Sequence, residues 1–159
     1  MGPAVTGPGS GGTGEVGAAG LEACAQAFLD AVVWGRHTTI WDLLSTRGRE
    51  AVLAVAVGQG MDRVAAGRLR EGLADPAERD RFLGQLLEGL RRDLRSVDLD
   101  RLRLGASTDP PSGDEVTIEL VVPSTIPGTG AWSAGQLVLG FDGDRGWRVD
   151  RLEPRRVIP

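Results

Sequence analysis

The apolar residues of this chain change their period after Ser96, and that change constrains the fold more than any other feature. Before it they recur at three- and four-residue spacing, and after it they alternate. The first pattern lines one side of a helix; the second lines one face of a strand. Leu102 and Leu104 alternate with Arg101 and Arg103. In "EVTIELVV", Val116, Ile118, Leu120 and Val122 share one face, while Thr117 and Glu119 share the other. Leu137, Leu139 and Phe141 alternate within "AWSAGQLVLGF", and Trp147 and Val149 alternate with Arg148 and Asp150. Turns at "DPPSGD", "PSTIPGTG" and Asp142–Gly146 separate four strands with no helix between them. Antiparallel meander pairing is the simplest topology.

The helical half divides at its glycines. Leu21, Cys24, Phe28, Leu29 and Val32 form one face of a first helix ending near Gly35. A second follows "GRHTT", with Thr38 or Thr39 as N-cap. It carries Ile40, Trp41, Leu43 and Leu44 and stops near Gly48. Residues 49–73 hold "AVLAVAV" and "MDRVAAGRLREGL", with a break around Gly58–Gly60. By pattern "AVLAVAV" fits a buried strand or a helix; its alanines and the short distance to the next helix favour helix. The fourth helix has the clearest start: Asp75 as N-cap, Pro76 at the first position and Glu78 closing a capping box. Its stripe of Leu83, Leu86, Leu87, Leu90 and Leu94 is too short for a coiled coil and reads as core. Helices first and strands second give an α+β fold, with N-terminal helices packed on one face of a curved four-stranded antiparallel sheet. The other face would carry Arg101, Arg103, Thr117, Glu119, Arg148 and Asp150 as a solvated charge ladder.

Length and composition bound the rest. A chain of 159 residues, 41% apolar and 25% charged, suits one soluble domain, taken as residues 19–154. Residues 1–18 are rich in Gly, Pro, Ser and Thr and read as a disordered tail; residues 155–159 read as a C-terminal tail. The formal charge of −4 argues against nucleic acid as a partner, which needs a basic face. No apolar run approaches the roughly 20 residues of a membrane span. The N-terminus lacks the basic and apolar regions of a signal peptide. A cytoplasmic protein without membrane attachment is therefore expected. Cys24 and His37 are each the sole residue of their type, so neither a disulfide nor a cysteine cluster is expected, and no metal or other cofactor is expected.

Three motif matches fail on context. "GPGSGG", Gly7 to Gly12, fits a dinucleotide fingerprint, but no strand precedes it. "DGDRGWRVDRLE" places Asp142, Asp144 and Glu153 as a calcium loop would, yet Gly146 and Trp147 occupy positions needing a ligand and a glycine. "GTG" at 128–130 lacks the lysine and helix of a phosphate loop.

Two stretches carry a family resemblance. "AFLDAVVWGRHTTIWDLLSTRGREAVL" (27–53) is similar to the opening of the SnoaL-like superfamily, also called nuclear transport factor two-like or ketosteroid-isomerase-like. "FDGDRGWRVDRLEP" (141–154) resembles its closing hairpin, where a Gly-Trp pair starts the last strand. The resemblance spans residues 20–154 and implies a cone with a pocket between sheet and helices. It also implies dimers formed through the sheet, and either enzymes (isomerases, cyclases, hydrolases) or non-catalytic binding domains. The long helical segment 49–96 departs from the pattern and could fill that pocket.

The candidate chemistry is sparse. With no tyrosine, a phenolic oxyanion donor is impossible. His37 and Asp42 are the candidate catalytic pair, bracketing the first interhelical break; their plain reading is a helix-start residue and a first-turn carboxylate. Trp34, Trp41, Trp132 and Trp147 are the candidate ligand contacts for a small apolar ligand, and space-filling is the commoner role of such rings. The expected function is a non-catalytic binding or assembly domain, homodimeric through the sheet. The alternative is a small-molecule isomerase, cyclase or hydrolase with His37 and Asp42 at the mouth of an apolar cone.

Overall fold

A computed structural model describes residues 9–108 and 115–155. Its elements follow the expected order: α1 (Gly9–Trp34), α2 (His37–Leu43), α3 (Thr46–Gly58), α4 (Arg63–Glu71) and α5 (Pro76–Asp93), then β1 (Arg103–Thr108), β2 (Glu115–Val122), β3 (Trp132–Phe141) and β4 (Trp147–Pro154). The strands form one open antiparallel sheet in the order β1-β2-β3-β4, and α1 packs against β4 and β3. The fold is mixed α+β, with helices layered on the sheet. Of the two segments read as tails, residues 1–8 and 156–159 lie outside the described residues. The α1 backbone starts at Gly9.

The core sits between α1 and the sheet. Leu21, Cys24, Ala25, Phe28, Leu29 and Val32 of α1 face Val116, Ile118 and Leu120 of β2, Leu137 and Leu139 of β3 and Val149 of β4, all buried in one cluster. Ile40, Trp41, Leu53, Leu69, Phe82, Leu83 and Leu94 extend that cluster across the later helices. The α5 stripe behaves as read: Leu83 and Leu94 are buried, and Leu86, Leu87 and Leu90 pack against the core. Each fully buried side chain of this size contributes about 1.5–3 kcal/mol through removal from water.

Helix α1 ends as a Schellman turn. Gly35 takes φ +74°, a conformation that favours glycine, and Arg36 N–H reaches Ala31 O at 2.8 Å. Arg91 of α5 then donates to Val32 O and Val33 O at 3.0 and 2.8 Å, satisfying the exposed carbonyl end of α1.

Several local expectations need correction. The N-cap of α2 is Arg36, which makes no side-chain cap, rather than Thr38 or Thr39; the helix restarts directly after the Gly35 turn. It ends at Leu43, not near Gly48. Leu44 and Ser45 are extended because Leu44 forms a parallel bridge to Val149 and Ser45 N–H bonds Val149 O at 2.8 Å. Gly48 lies inside α3, where a Cβ would stand 2.8 Å from the Val149 and Asp150 carbonyls. The capping box on α5 is half made: the Asp75 side chain makes no cap, while the Glu78 carboxylate accepts from the Asp75 backbone. Phe141 shares the Trp147 face but ends its strand exposed, edge-on to that indole at 5.6 Å.

The face turned away from α1 is less uniform than a charge ladder. Register places Thr117, Val138 and Arg151 in one row, and Glu119, Gln136 and Glu153 in the next. Arg151 pairs with Glu153 and Glu115 at 2.6 and 3.6 Å. Arg101 lies in a short 3-10 turn, outside β1. Asp150 is the second correction on this face: it is buried, because the β3–β4 register slips between Val138 and Leu139 and leaves it as the extra residue of a bulge.

Candidate functional site

A connected polar assembly joins that bulge to the α2–α3 elbow. The Ser45 hydroxyl donates to Asp150 Oδ1 at 2.5 Å and accepts from Gly48 N–H at 2.9 Å, capping α3. One turn away, Asp142 Oδ2 accepts from the backbone N–H and the hydroxyl of Thr46, both at 3.1 Å, and from Arg145 at 3.0 Å. Burial is the largest single influence on Asp142 and pushes its pKa up, but these donors together outweigh it and hold the carboxyl below its usual range. Arg145 also donates to Asp42 O at 2.6 Å. The network fixes the end of the sheet to the helical layer; its polar groups face one another rather than an open cavity.

The elbow positions a cleft among α2, α3, α4 and α5. It has a volume of about 280 Å³, with Trp41, Leu69, Leu83 and Ala74 as apolar lining and Arg49, Arg70, Arg79, Asp42 and Glu71 as charged lining. Trp41 is buried, meeting Phe82 edge-on at 5.5 Å. The Arg49 guanidinium stands 5.1 Å from the Trp41 ring centre, and its Nε donates to Trp41 O at 3.0 Å. Burial first, then the Arg145 charge, lowers the Arg49 pKa from its ordinary value. Arg70 is clamped by Glu50 at 2.5 and 3.0 Å.

Two wider clefts lie at the sheet. One of about 590 Å³ crosses the outer face, lined by Thr117, Glu119, Gln136, Ser133 and Glu153. The other, about 740 Å³, lies beside Glu22 and Gln26 of α1 and Leu104 to Ser107 of β1.

The candidate residues are dispersed among these features. His37 Nε2 lies 3.6 Å from Asp80 Oδ1 and does not line the cleft that Asp42 lines. Trp41 alone of the four tryptophans lines a described cleft. Trp34 is 72% exposed at the end of α1, Trp132 is exposed at the start of β3, and Trp147 packs against the helical layer beside Gly20. Cys24 is buried; burial pushes its thiol pKa up, against a downward pull from Arg148 and Arg145. Among the described residues no cluster of His, Cys, Asp or Glu could hold a metal ion. Sequence reasoning missed Arg49, Arg79 and Ser45, and it placed Asp150 on the solvated face. Ser45 carried a usable signal, a serine just before a helical run; the arginines carried none, because a guanidinium on a helix is ordinarily solvated.

These features define a mixed α+β protein whose helices cover one face of an open antiparallel sheet, with clefts on both layers. No described helix is long and apolar enough to cross a membrane. Comparison of the chain with protein-family models, curated proteins and solved structures returns no significant match.

Proposed function

We propose that this chain is a non-catalytic binding or assembly domain of SnoaL-like fold, a cytoplasmic homodimer that associates through the outer face of its sheet. One observation carries the reading. The space between helices and sheet, where the resemblance implies a pocket, is filled by Phe28, Leu53, Leu83, Leu94, Leu137 and Leu139, each at most 1% exposed. Those side chains close the centre of that space, and what opens between the layers is the cleft at its edge, beside Glu22 and Gln26 of α1 and Leu104 to Ser107 of β1. The outer face supports the association: its groove is open, and Ala106, Thr117 and Pro154 line it beside Glu119 and Glu153. The enzymatic alternative needs His37 and Asp42 on one cleft, and no observation favours it.

Sedimentation equilibrium over a range of concentrations tests the reading. The wild-type chain is expected to run as a dimer, and Ala106→Arg with Glu119→Arg, both exposed on the groove, to run as a folded monomer. A wild-type monomer at every concentration overturns the association.

A further inference from the structure

We propose that the cleft among α2, α3, α4 and α5 binds a small organic carboxylate, with the anion held by Arg49 and Arg79 and the apolar body laid against Trp41, Leu69 and Leu83. The site is separate from the sheet face, so it stands whether or not the chain self-associates.

The argument begins with unused donors. Arg49 and Arg79 are both half-buried, line the same cleft, and take part in no ion pair among the described residues. Arg70 differs, since Glu50 already occupies its fork. Arg49 uses Nε on Trp41 O and the face of its guanidinium on the indole, which leaves the two terminal nitrogens. Asp42 and Asp142 act on Arg49 from beyond ion-pair distance, and burial with the Arg145 charge outweighs them, so a bound anion in direct contact offsets a remaining desolvation cost. The planar guanidinium matches the geometry of a carboxylate, and stacking on Trp41 holds it ready.

The rest of the lining narrows the class. Asp42 and Glu71 also border the cleft, so the site tolerates one negative charge better than two or three. That favours a monocarboxylate over inorganic phosphate. Trp41, Leu69, Leu83 and Ala74 supply an apolar wall, which asks for a ligand with an apolar body. The volume of about 280 Å³ suits a molecule the size of a substituted benzoate or a short fatty acid.

The test uses the full chain and amide-resolved NMR titration with benzoate and hexanoate, against benzamide and inorganic phosphate as comparators. Saturable shifts are expected at Trp41, Arg49 and Leu69, with Kd near the millimolar scale of a fragment-sized ligand, about 1 mM. Arg79→Gln removes a side chain with no ion-pair or side-chain hydrogen-bond partner among the described residues, so it is expected to fold normally and weaken benzoate about tenfold or more. Arg49→Gln is expected to do the same, and Arg81→Gln, an exposed charge outside the cleft lining, to change nothing. Three results overturn the proposal: no saturable shift with either carboxylate at about 10 mM; unchanged benzoate affinity in Arg79→Gln; or phosphate or benzamide binding as tightly as benzoate. Sedimentation of the same samples reports self-association independently.

Discussion

Ser45→Ala removes two hydrogen bonds at one atom. The hydroxyl caps α3 by accepting from Gly48 N–H and also donates to Asp150, within a residue only 9% exposed. Loss of an N-cap side chain costs about 1 kcal/mol, within roughly 0.5–2. Loss of a hydrogen bond to a charged group costs about 1.5–3 kcal/mol, and here the carboxylate is left buried without that donor. With the cap taken at about 1 kcal/mol the sum is about 2.5–4 kcal/mol, a large part of the roughly 5–15 kcal/mol that holds a domain folded. Each kcal/mol lowers Tm by about 2–4 °C at this chain length, so the midpoint should fall by about 5–15 °C. Urea unfolding of wild type, Ser45→Ala, Asp150→Ala and the double variant separates the two bonds. In the Asp150→Ala background Ser45→Ala should cost only the cap, about 1 kcal/mol. The remainder, about 1.5–3 kcal/mol, is the coupling. A coupling below about 0.5 kcal/mol, the limit of additivity for independent sites, would refute the claim that this bond ties the elbow to the sheet.

Two further outcomes follow from the same geometry. Gly135 has φ +139°, and a Cβ there would collide with Glu153 O, so Gly135→Ala should cost about 3–5 kcal/mol in urea unfolding; a loss under about 1 kcal/mol would show that the β3–β4 pairing yields easily. Asp142 has a folded pKa below its unfolded value of about 4, so its contribution is present above that pH and is lost as pH falls through the folded value. Asp142→Asn should therefore flatten the acid side of a stability-versus-pH curve below about pH 4, and an unchanged slope there would count against the Thr46–Arg145 network.

Most of the architecture was legible in the sequence because it depends on period. The alternation in Val116, Ile118, Leu120 and Val122 puts one face of β2 in the core, and the structure buries all four. The α5 stripe and the Gly35 stop likewise act through neighbours three or four residues away. The candidate site was less legible because its residues meet across long separations. Ser45 and Asp150 are 105 positions apart, and Asp142 meets Thr46 across 96.

The sequence by itself determined the order of helices and strands, the meander, and which face of most elements is apolar, since each follows from spacing within a few residues. Tertiary structure decided where α2 stops, since Leu44 and Ser45 become extended only by bonding to Val149. It decided that Asp150 is buried, because a one-residue slip against β3 removes it from the alternation that placed it in solvent. It also decided that Arg49 and Arg79 share a cleft, because four helices must pack before those guanidinium groups have a common wall. Periodicity records what a residue does within its own element; clefts and buried polar bonds arise where elements meet.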